Sequence, residues 1–117
     1  MIHQERLIVT TIADGSGSVD GPTIMGWLYA IQWIDGDLVD GIDAVLSCVH
    51  LDLTRALLTL SNANVDAVYY PREDSHTNLG GSLADASQCA LINGVLRLAI
   101  TSGGAVKTGG CIVYWFD

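Results

Sequence analysis

The sequence is short of positive charge. Five Lys and Arg stand against 13 Asp and Glu, giving a formal net charge of −8. Phosphate contacts need clustered basic side chains, and Arg6, Arg55, Arg72, Arg97 and Lys107 are scattered, so direct nucleic-acid binding is not expected. The favoured account of the charge is that it keeps the protein soluble; an acidic face meeting a basic partner surface is the alternative. Charge of either sign is scarce, at 15% of residues, while half the chain is apolar; that balance excludes a disordered polymer. Long apolar runs are also missing. None reaches the roughly 18 residues of a membrane span, so no membrane partner is expected. The opening Met1-Ile2-His3-Gln4-Glu5-Arg6 has no cationic start, and Leu7 to Ile12 is too short and Thr-rich for a secretory signal, so none is expected.

Chemistry-bearing patterns are equally sparse. Cys48, Cys89 and Cys111 are odd in number, widely spaced and without a CxxC pair, which disfavours a disulfide framework and a structural zinc site. Cys48 and Cys111 lie in apolar runs and are expected as buried thiols. His3, His50 and His76 have no paired spacing and sit in no nucleophile motif. Lys107-Thr108 precedes Gly109 rather than following a second glycine, so the Gly-rich stretch 103–110 is not a phosphate loop. Asp35, Asp37, Asp40 and Asp43 gather in one loop, but the glycine comes one residue late for a helix-loop-helix calcium site and Leu46 replaces the terminal acid. A solvated turn accounts for that loop better, and a non-standard cation site there stays open. No nucleophile, base and oxyanion site occur together, so neither an enzyme nor a cofactor is expected.

What the sequence does contain is short apolar runs punctuated by glycine. Arg6–Ile12 reads as a first strand, ending at the turn 13–18. Val19 onward meets Gly21-Pro22, where proline implies an edge or irregular strand. In Ile24–Ile34 both alternating faces are apolar, Trp27, Tyr29, Ile31 and Trp33 on one and Leu28, Ala30, Gln32 and Ile34 on the other; a strand buried on both sides is expected. A hairpin-type loop at 35–41 leads to strands at Ile42–Val49, Arg55–Leu60 and Val65–Tyr70, the last stopped by Pro71. Residues 72–90 are the least regular, and Ser82 is a candidate cap for a short helix near 83–90. Val95–Ile100 and Gly110–Phe116 read as a terminal hairpin. Seven or eight short strands in a single domain, residues 1–117, predict an all-β fold, a compact antiparallel β-sandwich or a small barrel.

Aromatic residues are the remaining signal. In Cys111–Phe116 both faces are apolar at the end of the chain. A central strand and a strand covered by a second subunit both satisfy this. Tyr, Trp and Arg are favoured at interface centres, which makes Trp27, Tyr29, Trp33, Tyr69, Tyr70, Arg72, Tyr114, Trp115 and Phe116 the candidate interface.

Three groups of motifs carry a family resemblance. They are Gly26-Trp27-Leu28-Tyr29-Ala30-Ile31 with Gly36-Asp37-Leu38-Val39-Asp40-Gly41-Ile42-Asp43; Leu57-Leu58-Thr59-Leu60-Ser61-Asn62-Ala63-Asn64 with Tyr69-Tyr70-Pro71-Arg72 and His76; and Leu96–Ile100 with Gly103-Gly104-Ala105-Val106-Lys107-Thr108-Gly109. In this order the chain resembles small virion-associated structural proteins of tailed bacteriophages, from head and connector gene neighbourhoods. The 83–94 segment departs from that pattern. The resemblance implies a structural virion protein, assembled in the host cytoplasm, and no more precise role; the leading expectation within that role is a capsid cement or decoration protein. Its expected partners are itself, as a dimer or trimer, and the major capsid protein. A neck or tail component and a carbohydrate- or ligand-binding sandwich are the alternatives.

Overall fold

The computed structural model describes residues 1–117, the side chain of Ala84 excepted. The fold is all-β, antiparallel, and without a helix among the described residues. Nine strands form: β1 (Ile2–Thr10), β2 (Gly17–Ile34), β3 (Asp43–His50), β4 (Leu53–Leu60), β5 (Ala67–Tyr69), β6 (Arg72–His76), β7 (Ser82–Cys89), β8 (Leu91–Thr101) and β9 (Thr108–Phe116). Seven belong to one sheet, ordered β1-β9-β2-β8-β3-β4, with β5 also paired to β2. Strands β6 and β7 pair only with each other.

The long strand β2 organises the sandwich. Eighteen extended residues would span roughly 60 Å at about 3.3 Å each, more than the molecule's longest dimension of 47 Å, so β2 bends. Its first half, Gly17–Trp27, pairs with β8; its second half, from Trp27 to Ile34, pairs with β9 and, at Ile31–Trp33, with β5. One layer is therefore β1-β9-β2-β5 and the other β2-β8-β3-β4, with β2 shared as the corner. Side chains from both layers meet in the core: Ile31, Trp33 and Cys111 of the first face Ala44, Leu46, Leu58, Leu60 and Leu98 of the second, around an apolar void of about 10 Å³. Such a void is too small and too dry for a ligand.

Two irregularities in β2 have sequence causes. Between Asp20 and Thr23 the register with β8 shifts at Gly21-Pro22, where proline cannot donate to the ladder. Between Leu28 and Ala30 the register with β9 slips by one residue, a β-bulge at Tyr29. Up to the bulge the even positions Ile24, Gly26 and Leu28 face inward; beyond it the odd positions Ile31 and Trp33 do. The strand is thus buried on one side only, and the expectation of two buried faces is corrected. It arose because a bulge changes which parity is apolar.

Other boundaries also move. The first strand starts at Ile2, because Ile2, Gln4, Arg6 and Ile8 form its outward face. The loop 35–42 is no hairpin: β2 and β3 do not pair, and buried Leu38 and Ile42 carry the chain between layers. Strands β8 and β9 likewise flank opposite edges of β2 instead of pairing with each other. Ser82–Cys89 is strand β7 and not a helix; its Ala and Gln content favours helix weakly, but pairing with β6 overrides propensity. At the β1–β2 turn Gly15 sits at φ +86, and a Cβ there would press on the Gly104 amide nitrogen, so only glycine lets the turn pack against the 102–105 loop.

Candidate functional site

All eight aromatic side chains belong to the first layer or its immediate continuation: Trp27, Tyr29 and Trp33 on β2, Tyr69 on β5, Tyr70 just beyond it, and Tyr114, Trp115 and Phe116 on β9. Cross-strand register decides which way they face. Ile2 lies opposite Phe116 and Phe116 opposite Trp27; Gln4 lies opposite Tyr114 and Tyr114 opposite Ala30; Arg6, Ile112, Gln32 and Val68 make a third row. Directly opposed residues share a sheet face. The outer face therefore collects Trp27, Tyr29, Tyr70, Tyr114 and Phe116 from the candidate set, together with Ile2, Ile8, Val68 and Ile112.

Tyr29 is the centre of this face. Tyr70 and Phe116 meet its ring edge-on at centroid distances of 5.9 and 6.5 Å. The Arg72 guanidinium lies 5.8 Å from the ring centroid and donates to the Tyr29 carbonyl at 3.0 Å. The bulge leaves both Tyr29 and Ala30 on the outer side, and Ala30 is buried under the tyrosines instead of in the core. Two open grooves flank the ring. One, of about 270 Å³, is lined by Ile2, Tyr29, Gln32, Val68, Tyr70 and Tyr114, whose hydroxyl donates to Gln32 Oε1 at 3.2 Å. The other, of about 240 Å³, is lined by Trp27, Phe116, Gln88 and Cys89.

Three of the expected interface residues are placed elsewhere. Trp33, 1% exposed, is a core residue; beyond the bulge its parity points inward, and its indole N–H donates to the Ala63 carbonyl at 3.1 Å. Tyr69 and Trp115 are half-buried and packed against the core, with Trp115 stacked on His3 at 4.2 Å. Conversely, the sequence reading missed Ile2, Gln4, Arg6, Ile8, Gln32, Val68 and Ile112. The alternation of Ile2, Gln4, Arg6 and Ile8 against Leu7 and Val9 was the signal for the β1 part.

No Asp or Glu stands on this face, although the chain has 13; its one charge is Arg6, with Arg72 at the margin. The outer face of the second layer is different. Ser18, Asp20, Val45, Ser47, Val95, Arg97 and Thr59 compose it, without an aromatic ring. There Arg97 pairs with Asp20 through two bonds of 2.7 and 3.1 Å, which hold the Asp20 carboxyl below its usual range.

The acids concentrate at the pole formed by the loops 11–16, 35–42, 61–66 and 102–107, which are joined by backbone bonds such as Thr11 to Lys107 and Val39 to Gly103. Asp14, Asp35, Asp37, Asp40, Asp43 and Asp66 share this pole with Lys107. Several carboxylates accept from the protein itself: Asp37 from the Thr108 amide at 2.6 Å, Asp43 from the Asn62 amide at 3.1 Å, and Asp66 from the Asp35 amide at 2.8 Å. The Asp35 carboxyl is raised above its usual range by burial and then by the Asp66 and Asp40 charges. Among the described residues no three His, Cys, Asp or Glu side chains converge as a metal site.

The remaining reactive groups are dispersed. His3 contacts Asp117 at 3.4 Å, while His50 and His76 are exposed on separate strands. Burial pushes the Cys111 thiol up to about 12, which removes it as a nucleophile. Among the described residues no helix is long and apolar enough to cross a membrane. Comparison with protein-family models, with curated proteins and with solved structures finds no match to this chain.

Proposed function

We propose that this chain is a non-catalytic structural module that holds other protein surfaces, and that it serves as a virion protein of a tailed phage, of the cement or decoration type. The observation that carries the binding part is the aromatic outer face of the first layer: five rings and a cluster of aliphatic side chains, free of acids, on a chain of net charge −8. Interface centres favour Tyr, Trp and Arg and are depleted in acidic side chains. The face covers roughly 500 Å² in plan, taking about 4.8 Å between strands and 3.3 Å per residue, near the upper end of the apolar patches monomers expose. The phage setting rests on the motif resemblance. The acidic loop pole, at the far end of the sandwich from the β6–β7 hairpin, suits a basic capsid surface.

A carbohydrate-binding reading has less support. Clustered exposed Trp would favour it, but Trp27, at 41%, is more exposed than the core Trp33 or the His3-stacked Trp115 and stands apart from both. Mass spectrometry of purified virions tests the proposal. The protein is expected in them at hundreds of copies for a shell component; about 6 or 12 copies would move it to the symmetric neck. Its absence from virions would overturn the reading.

A further inference from the structure

The β6–β7 hairpin is an arm with little of its own chain to pack on. Its base is anchored: Arg55 donates to the Leu91 carbonyl and pairs with Glu73 at 3.4 Å, and Arg72 binds Tyr29. Beyond that base β6 packs mainly on β7, and the sandwich strand that β7 meets most is β2, beside the groove that Gln88 and Cys89 line with Trp27 and Phe116. Leu79 at the tip is 92% exposed, and Leu83 is exposed on β7. The radius of gyration, 14.8 Å, exceeds the roughly 13 Å of a compact chain of this length, as a protruding arm requires. A lone two-stranded hairpin is marginally stable in water.

Arm and aromatic face are complementary. Beyond its base the arm carries Asp74 and Asp85, exposed leucines and no Phe, Trp or Tyr ring; the face carries Arg6, with Arg72 at its margin, five rings and no acid. We infer that the arm of one copy lies across the aromatic face of a second copy, and that the exchange is reciprocal, making a two-fold dimer. This rests on the reading of the aromatic face as a protein-binding surface. Area argues for reciprocity. One arm about 10 Å wide and 26 Å long covers roughly 250 Å² of a face, so a single contact removes about 500 Å² of total surface, below what specific interfaces bury. Two symmetric contacts reach about 1,000 Å², the lower bound for a stable one. Self-association through any acidic surface would instead oppose like charges.

Sedimentation equilibrium of the full chain tests this. The expected species has twice the 12.4 kDa chain mass, and high salt is expected to weaken it, because part of the contact is ionic. Leu83→Asp on the arm and Ile2→Asp on the face are each expected to raise the dimer dissociation constant at least tenfold while leaving the melting temperature of the dilute monomer unchanged, since both side chains are exposed. An equimolar mixture of the two variants retains one good arm-on-face contact and is expected to stay weaker than wild type; a mixture as tight as wild type overturns reciprocity. A wild type that sediments as a monomer up to high concentration, or a dimer indifferent to both variants, overturns the inference. Should either variant unfold, replacement of 74–87 by a short Gly-Ser turn gives the same readout: loss of the dimer supports the inference and its persistence overturns it. A monomeric protein found in virions would sink the dimer alone, whereas a dimer absent from virions would sink the virion reading alone.

Discussion

The sandwich and the arm are built on opposite terms. In the sandwich, alternation places Ile92, Leu96, Leu98 and Ile100 of β8 against Leu7, Val9, Ile31, Trp33 and Val113, all nearly inaccessible to water. In the arm the same backbone geometry closes a ladder of five residue pairs with a bulge, yet almost every described side chain is exposed or half-exposed. Hydrogen bonding is available to both. Apolar burial is available to one, and burial supplies most of the favourable folding free energy. Strand formation and stability are thus separable: the arm has the first and borrows the second from its anchored base.

Four measurements bear on that contrast. The largest effect is expected from Leu96→Ala, which empties a fully buried site at the centre of β8 and should lower the unfolding free energy by about 2–5 kcal/mol in urea denaturation. Gly110→Ala should follow, at about 1–3 kcal/mol, because a Cβ at 110 would sit on the Leu7 carbonyl oxygen and force β1 away from β9. Replacing arm residues 74–87 by a Gly-Ser turn should change the same quantity by less than about 1 kcal/mol, since little apolar area is lost. In hydrogen exchange of the monomer, amides of β6 and β7 should exchange orders of magnitude faster than those of β8. An arm as protected as β8, or as costly to remove as Leu96, would abolish the distinction.

The smallest expected effect is electrostatic and lies within the sandwich's loop pole. The raised Asp35 carboxyl binds its proton more tightly in the folded than in the unfolded state. Its contribution is therefore favourable below the ordinary carboxyl range and is lost as pH rises through the folded value. Asp35→Asn should raise the melting temperature slightly at pH 7 and leave it unchanged below about pH 3. Asp14 and Asp20 run the other way: each is held low, by the Ser16 hydroxyl and by Arg97 respectively, and each loses its contribution as pH falls through its folded value.

The all-β class was legible because alternation in β8 and glycine punctuation are local signals. Pairing was not. Val95–Ile100 and Gly110–Phe116 look like neighbours in sequence, but the bent β2 lies between them, and no local pattern announces an intervening strand from far upstream. The arm was misread for a related reason: among the described side chains of Ser82–Cys89 none is buried, so the segment lacks the periodicity that marks a strand. Within the candidate site, Tyr70, Phe116 and Arg72 meet the Tyr29 ring and Trp27 and Tyr114 share its face, whereas Trp33 falls in the core. Two-residue alternation assigned it to the Trp27 face, and a one-residue slip that leaves no compositional trace reversed it.

That slip bears on how such a surface can arise and be lost. A strand without the extra residue at 29 would alternate regularly from Ile24 to Trp33 with the same side chains inward, so one inserted codon suffices to add a ring to the outer face while the core keeps its phase. The reverse event is equally cheap genetically. Deleting the codon for Tyr29 would leave Leu28, Ile31 and Trp33 facing inward and Ala30 and Gln32 facing outward, removing the central ring of the outer face and nothing from the core. Substitutions across the outer face accumulate one side chain at a time, whereas the ring at 29 can be gained or lost whole while the core behind it stays in phase.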